Sequence, residues 1–288
     1  MAVNDEDAHA PAATRGFGSR IGPDLGPRVA AAVVLGLAAL AAVWIGGFVF
    51  VAFWWIASVV VLWEWQRMMS ADRLISRLGV GVLGVTLAAL SALDGSVPGA
   101  AAALLLTAGV VGWLAGPPAR IWAASGAIYA GALVVSLGFL RASPHYGLAA
   151  VLWLFAVVWG ADIAAYFAGR LIRGPRLWPS VSPGKTWSGA VVGAFVGAAF
   201  GLLLSGWSNR VDRLFWLGLL TAVISELGDL FESALKRRYG VKDSSNLIPG
   251  HGGLMDRLDA FVAASVFAAL VAAFNTKGSF IASGLFQW

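Results

Sequence analysis

The sequence predicts an all-α integral membrane protein with about nine transmembrane helices. Apolar residues make up 59% of the 288-residue chain and charged residues only 12%, and the mean hydropathy is +0.79. An average soluble domain carries about twice that share of charge. Apolar runs near the ~20 residues that a spanning helix needs recur along the chain. This composition excludes an ordinary soluble enzyme, and the absence of cysteine excludes disulfides and thiolate metal sites.

The helices are predicted in chain order from these runs. The first run, 29–62, is too long for one span and breaks at Gly46-Gly47, so it is interpreted as two helices. A polar connector is expected over 64–77. Seven further helices are expected at 78–93, 101–114, 121–140, 147–169, 189–206, 214–235 and 258–274. Four glycines spaced by four in the helix at 189–206 indicate close helix packing.

The distribution of charge predicts the topology. Sixteen of the twenty Lys and Arg residues lie in the N-terminal tail and in the connectors after the second, fourth, sixth and eighth helices. The positive-inside rule places that side in the cytoplasm, in a multi-pass protein of the cell's inner membrane. We expect a disordered cytoplasmic tail at 1–27, N-terminal transmembrane helices at 28–146, and a catalytic transmembrane region at 147–288 with cytoplasmic loops 170–188 and 236–257. Membrane topology also explains the excess of Lys and Arg over Asp and Glu, so no nucleic-acid partner is expected.

The densest charge lies between Ser225 and Asp259. Five acidic residues lie before Lys236 or after Gly253, namely Glu226, Asp229 and Glu232, then Asp256 and Asp259, and the basic residues Lys236, Arg237, Arg238 and Lys242 lie between the two groups. Asp229 shares a predicted helix face with Glu226 and Ser233. The Pro249–Gly253 segment cannot continue a helix, so the chain can fold back and bring Asp229 and Asp256 together. Carboxylate oxygens suit Mg2+, which makes a metal-assisted nucleotide site the leading hypothesis.

Two carboxylates are predicted inside the membrane. Asp162 precedes Arg170 by eight residues, about 12 Å of helix, and Asp229 precedes Lys236 by seven, about 10 Å. A carboxylate inside a span is costly unless it is paired, hydrated or metal-bound, so both are functional candidates, with a structural ion pair as the open alternative. Tyr166 shares the face of Asp162 and extends a polar wall toward the loop 170–188.

That loop contains the segment Ser182-Pro183-Gly184-Lys185-Thr186. The first glycine of a P-loop is replaced by Pro179, and no strand is predicted before the segment, so a Walker fold is excluded. Lys185 and the hydroxyls can still bind phosphate, although Lys185 could equally be a topology-setting charge. In the second loop, His251 is expected to donate a hydrogen bond or contact phosphate. Arg257 either neutralises a carboxylate or contacts substrate.

With these residues in view, the chain resembles the phosphatidate cytidylyltransferases, also called CDP-diacylglycerol synthases. The matching C-terminal residues are Ser233, Lys236-Arg237, Lys242-Asp243, Pro249 to Gly253, and Asp256-Arg257 with Asp259. The matching upstream residues are Asp162, Tyr166, Gly169, Arg170 and Ser182 to Trp187. One departure is Ser188, where many members of the family have Glu.

The resemblance implies transfer of CMP from CTP to phosphatidic acid in the lipid bilayer by a Mg2+-dependent homodimer. It implies metal ligands at Asp229 and Asp256 and leaves a second cation open. The remaining catalytic candidates are Lys236, Arg237 and Asp259. The substrate-binding candidates are Asp162, Tyr166, Ser182, Lys185, Thr186, Ser233, Lys242, Asp243, His251, Gly252, Gly253 and Arg257.

Two alternatives remain open at this point. The first is a CTP-dependent enzyme that acts on another lipid or lipid phosphate, including a lipid kinase. The second is an ion-coupled transporter that uses Asp162 and Asp229 as coupling carboxylates. A transporter of this kind is expected to show two matching halves, and the sequence shows no internal repeat.

Overall fold

The computed structural model describes residues 25–70, 72–248, 252–278 and 280–288, and most of them are helical. In this part of the chain the helices are α1 (Leu25–Ile45), α2 (Gly47–Met69), α3 (Leu74–Leu93), α4 (Val97–Ala115), α5 (Arg120–Arg141), α6 (Gly147–Leu171), α7 (Trp187–Gly201), α8 (Val211–Arg238), α9 (Met255–Asn275) and α10 (Ser283–Phe286). Two short strands, β1 (Arg176–Trp178) and β2 (Ser182–Thr186), lie between α6 and α7, and a 3-10 helix (Leu202–Trp207) continues α7.

Among the described residues, eight helices, α2 to α9, are long and apolar enough to cross a membrane, with α7 extended by its 3-10 turn. Helix α1 adds a shorter apolar segment, Ala30–Ile45. The predicted all-α integral membrane fold is therefore confirmed. The predicted tail at 1–27 lies almost wholly outside the described residues, which begin at residue 25.

The predicted break in the first apolar run is confirmed, but the predicted connector over 64–77 is wrong. Gly46 separates α1 from α2 with φ of 71°, a left-handed conformation that glycine adopts without strain. Helix α2 continues to Met69 because its polar side chains find buried partners. The Gln66 amide donates to the Ala123 carbonyl at 2.8 Å, and Arg77 of α3 donates to the Gln66 side chain at 3.1 Å. Satisfied polar groups can remain inside a helical bundle.

The prediction that no strand precedes Lys185 is also wrong. Strands β1 and β2 pair antiparallel as a hairpin, and β2 leads directly into α7. Thr186 forms the N-cap of α7, because its hydroxyl accepts a hydrogen bond from the Gly189 amide at 3.1 Å. The hairpin is two-stranded and differs from the parallel sheet that carries a Walker loop.

The predicted packing role of the α7 glycines is confirmed. A Cβ at Gly193 would lie 2.8 Å from the Ala161 carbonyl oxygen of α6, and one at Gly197 would lie 2.7 Å from that of Val157. Only glycine allows the two backbones to approach this closely. The contact fixes α6, which carries Asp162, against the helix that follows Lys185.

Helices α8 and α9 meet through a second close approach. A Cβ at Gly228 of α8 would lie 2.5 Å from the Ala263 methyl carbon and 2.9 Å from the Asp259 carbonyl oxygen of α9. This contact places the acidic residues of the two helices at the same end of the bundle. On the far side of α9, Phe261 stacks on Trp54 with ring centroids 5.3 Å apart and packs α9 against α2.

Candidate active site

Lys185 of β2 joins the hairpin to α8. Its ammonium lies 2.9 Å from a Glu226 carboxylate oxygen and 2.6 Å from one of Asp229. Ser233 donates a hydrogen bond to the other Asp229 oxygen at 3.3 Å. The prediction that Glu226, Asp229 and Ser233 share one helix face is thus confirmed. The loop 170–188 and the start of the loop after α8 lie at the same end of the bundle.

The two carboxylates also keep Lys185 charged. Burial lowers the pKa of its ammonium, but the negative charges and hydrogen bonds of Asp229 and Glu226 more than offset that effect. The pKa therefore lies above its ordinary value of 10.5. Lys185 is a cation throughout the physiological pH range.

Lys236 forms a second and deeper pair of ionic contacts. Its ammonium lies 2.5 Å from a Glu232 oxygen one helical turn away on α8 and 2.7 Å from an Asp256 oxygen on α9. The Glu232 side chain is fully buried and that of Asp256 is only 5% exposed. Because a buried charge is costly unless an opposite charge accompanies it, Lys236 links Glu232 of α8 to Asp256 of α9 electrostatically.

Asp256 receives further donors from the loop between α8 and α9. The Ser244 amide and hydroxyl donate to one carboxylate oxygen at 3.0 and 3.1 Å, and the Gly253 amide donates to the same oxygen at 2.8 Å. Gly252 has φ of 81°, and a Cβ there would lie 2.7 Å from that oxygen. Gly252 and Gly253, which were predicted to bind substrate, therefore lie directly against the Asp256 carboxylate.

Glu64 of α2 holds the other side of the same loop. Its carboxylate is fully buried and lies within hydrogen-bonding distance of four donors. The Leu254 and Met255 amides donate at 2.9 and 2.6 Å and the Ser245 hydroxyl at 2.6 Å. The Ser244 hydroxyl lies 3.2 Å away and shares its one proton between Glu64 and Asp256. Glu64 falls in the polar connector predicted over 64–77 and was not among the predicted site residues. An acidic residue between two tryptophans in an apolar run was the available signal.

An apolar cavity of about 820 Å³ lies beside these charges. Residues of α1, α2, α6 and α9 line it, including the aromatic rings of Phe53, Trp54 and Phe261. Its charged lining residues are Asp162 of α6 and Arg257 of α9. Asp256 and Arg257 are neighbours in the chain, so the start of α9 contributes one residue to the charged cluster and the next to the apolar cavity. Asp162 in turn interacts electrostatically with Lys185 and Asp229.

The remaining predicted residues are distributed around this centre. Asp259 is buried, accepts the Ala260 amide at 2.8 Å, and lies within electrostatic range of Asp229 and Lys236. Other members are more exposed: Tyr166 lies under the Arg170 guanidinium, Arg237 donates to the Val241 carbonyl, and Lys242 and Asp243 lie on the loop surface. Ser182 is half-buried at the start of β2. His251 lies outside the described residues, so its predicted contact stays a prediction.

The predicted metal ligands each contact a lysine. Asp229 accepts from Lys185, and Asp256 accepts from Lys236. Within the described ranges, no group of three or more Asp, Glu or His side chains is arranged to hold a metal ion. The donor chemistry nevertheless fits, because both carboxylates lie in sites that already accommodate a cation, and hard oxygen ligands suit Mg2+. The assignment of a metal to Asp229 and Asp256 stays a prediction.

Glu226 and Glu232 complete the two lysine pairs and were not among the predicted site residues. Both lie on α8 at helical spacing from residues that were predicted: Glu226 three before Asp229, and Glu232 four before Lys236. Opposite charges at a spacing of four commonly pair on a helix, which was the signal for Glu232. No local pattern indicates that Glu226 pairs with Lys185, because β2 and α8 are distant in sequence.

Known proteins are similar to this chain over most of its length. The model of the cytidylyltransferase family matches residues 27–274. A phosphatidate cytidylyltransferase of Brucella suis is 40% identical over 266 residues, covering 87% of this chain and 94% of that protein. One of Brucella abortus is 37% identical, covering 92% of this chain and 99% of that protein.

A third relative is similar to about half of the chain. The phosphatidate cytidylyltransferase of Haemophilus influenzae is 43% identical over 145 residues, covering 48% of this chain and 50% of that protein. The match to the family model extends from α1 to the end of α9 and so includes every helix that contributes to the charged cluster. The chain therefore belongs to the cytidylyltransferase family.

Proposed function

We propose that this protein transfers CMP from CTP to phosphatidic acid, giving CDP-diacylglycerol and pyrophosphate. The observation that carries the proposal is the junction at Asp256 and Arg257, where a buried charged cluster meets an apolar cavity inside a bundle of membrane-spanning helices. A lipid phosphate needs both environments, one for its chains and one for its charge. The names of the Brucella relatives support the same substrates.

The apolar cavity suits the lipid acceptor. Its volume of about 820 Å³ falls in the range of ~300–1,000 Å³ that ligand sites occupy. Aliphatic and aromatic side chains form most of its walls, while Arg257 provides a guanidinium that matches a phosphate in charge and geometry. In this proposal the acyl chains lie among Trp54, Phe53 and Phe261, and the phosphate lies toward Arg257.

The charged cluster suits the nucleotide triphosphate. Lys185 and Lys236 bring two ammonium groups to the bundle end where Asp229 and Asp256 lie. An oxygen of the lipid phosphate attacks the α-phosphorus of CTP, the bond between that phosphorus and the bridging oxygen to the β-phosphorus breaks, and pyrophosphate leaves. The attacking phosphate is already anionic, so no Ser or Cys nucleophile is required. Cationic groups lower the barrier by offsetting the repulsion between the two anions.

We further propose that the reaction uses Mg2+, held by Asp229 and Asp256, and that a second cation is accommodated nearby. When bound, such an ion supplies neutralisation of the triphosphate and of the leaving pyrophosphate. The lysines then provide the remaining positive charge. Two further proposals come from the sequence. The positive-inside pattern indicates that the catalytic end of the bundle faces the cytoplasm at the inner membrane. The resemblance to the family implies that the protein works as a homodimer.

The proposal is tested with purified protein, CTP, phosphatidic acid and Mg2+. We expect CDP-diacylglycerol to form in lipid-dependent fashion, and Asp229→Asn and Asp256→Asn each to lower turnover by at least about 10²-fold. Asp212→Asn is the matched control, because Asp212 lies on the same helix in an exposed pair with Arg210 and should leave turnover unchanged. Near-normal rates in both active-site variants would refute the proposed roles. Turnover with diacylglycerol instead of phosphatidic acid would favour the lipid kinase.

A further inference from the structure

Glu64 lies outside the segments that the proposed chemistry uses, yet it accepts hydrogen bonds from the loop that leads into Asp256. Helix α2 supplies it from the N-terminal half of the chain, about 190 residues before its partners. The carboxylate is fully buried, and its four donors are the Leu254 and Met255 amides and the Ser244 and Ser245 hydroxyls. Burying a carboxylate costs free energy unless well-aligned hydrogen-bond donors replace the water that it loses.

Helix α9 lacks an N-cap of its own. Its capping position, Leu254, has no side chain that can accept a hydrogen bond from the first turn. Glu64 performs that task from another helix, because it accepts the amides of the cap and of the first helical residue, Met255. A negative charge at a helix N-terminus also interacts favourably with the helix dipole. The position and direction of α9 at its first turn therefore depend on Glu64.

The first turn of α9 carries Asp256, and the two carboxylates share a partner. The Ser244 hydroxyl lies 3.2 Å from a Glu64 oxygen and 3.1 Å from an Asp256 oxygen. A Cβ at Gly253 would lie 2.0 Å from that hydroxyl oxygen and 2.5 Å from a Glu64 oxygen, so the loop has no spare room there. Displacement of the Glu64 carboxylate would therefore be transmitted directly to the loop and to Asp256.

We propose that Glu64 is a positioning residue of the active site, which fixes the Ser244–Ser245 turn and the first turn of α9 and so aims Asp256 at Lys236. The effect on turnover rests on the proposed function, whereas the effect on the loop does not. Glu64→Gln is the informative change. It keeps the shape of the side chain but replaces one acceptor oxygen by an amide NH2 group, a donor that then opposes the N–H of Leu254 or Met255.

The test measures hydrogen exchange and kinetics on the same preparations of full-length protein. In Glu64→Gln we expect the amides of 252–258 to exchange at least about tenfold faster, with exchange in α5 and α6 unchanged. Turnover per folded enzyme should fall by about 10- to 100-fold, since small displacements of a catalytic group have effects of that size. The KM for phosphatidic acid should stay within about twofold, because Glu64 does not line the apolar cavity.

Gln66→Met is the matched control. Gln66 is buried on the same helix and bonds to Ala123 and Arg77 rather than to the loop. The Gln66→Met substitution should lower thermal stability without changing hydrogen exchange of the loop amides or turnover per folded enzyme. If Glu64→Gln fails to fold, Ser245→Ala removes a single donor and should produce the same loop effect to a smaller degree.

Three outcomes would overturn the inference. One is unchanged hydrogen exchange of the loop amides in both Glu64→Gln and Ser245→Ala. Another is a loss of turnover without a change in exchange, which would mean that Glu64 acts directly on substrate. The third is an equal effect of Gln66→Met on the loop, which would reduce Glu64 to a general stability role. If the wild-type protein has no activity with CTP and phosphatidic acid, the proposed function fails, and the exchange comparison still decides the positioning role.

Discussion

Removal of Lys236 should be among the most destabilising single changes at this end of the bundle. Its ammonium is the cation between Glu232, whose side chain is fully buried, and Asp256, whose side chain is 5% exposed. Breaking a buried pair by removing one partner costs about 3–5 kcal/mol, because a charge is left without compensation. We expect Lys236→Met to lower the free energy of unfolding by that amount.

Lys185 provides the internal comparison. It also lies between two carboxylates, but its own side chain is 20% exposed and those of Glu226 and Asp229 are 20% and 32% exposed. Water and salt reach these groups. Lys185→Met should therefore lower the free energy of unfolding by no more than about 2 kcal/mol, a value between those typical of exposed and of buried ion pairs. The difference in burial thus predicts the order of the two effects.

The assay is reversible unfolding in detergent micelles titrated with a denaturing detergent, followed by circular dichroism. A second change, Glu232→Gln, should recover at least about 1 kcal/mol in the Lys236→Met background, because it removes the uncompensated charge. Equal costs for the two lysine variants would refute the reasoning. So would a cost below about 1 kcal/mol for Lys236→Met.

Three further predictions follow from separate features. Gly197→Ala should destabilise the protein by about 1–3 kcal/mol because its new Cβ would lie 2.7 Å from a carbonyl oxygen, whereas Gly109→Ala on α4, with nothing within 4 Å, should be neutral or stabilising in the same unfolding assay. Ser188→Glu should keep turnover within about threefold, since a carboxylate is favoured in the first turn of α7; a loss above about tenfold would mean that the site depends on the serine hydroxyl. Burial lowers the pKa of Lys185 but its carboxylate partners hold it above 10.5, so its pairs are lost only as pH rises through that raised pKa. In an Asp162→Asn background, which removes a carboxylate that Lys185 also influences, the difference in melting temperature made by Lys185→Met should therefore stay constant from about pH 7 to about pH 9, and a decline over that interval would contradict it.

The sequence was most informative where local spacing decides the structure. Apolar runs of spanning length predicted the helices, and the glycine stripe of α7 predicted its contact with α6. The helical spacing of Glu226, Asp229 and Ser233 predicted the shared face that binds Lys185. These features depend on residues within a few turns of one another, so a single sequence contains the needed evidence.

Features that depend on distant partners could not be predicted in this way. The boundary of α2 was placed too early because Glu64, Gln66 and the polar residues after them suggested a connector. Glu64 and Gln66 are buried instead, since their hydrogen-bond partners come from α5, α3 and the end of the α8–α9 loop. The apolar cavity is also a product of assembly, because four helices from both halves of the chain line it. No local pattern contains that information.

The most direct measurement of the central claim follows the phosphorus atoms of CTP. Purified protein in phosphatidic acid bilayers with Mg2+ is given CTP labelled at either the α- or the γ-phosphorus, and the lipid and aqueous phases are separated. Transfer of CMP predicts that the α-label enters the lipid phase and that the γ-label is recovered in aqueous pyrophosphate. A γ-label in the lipid would identify phosphoryl transfer instead, and the absence of both labels from the lipid would contradict the proposed function.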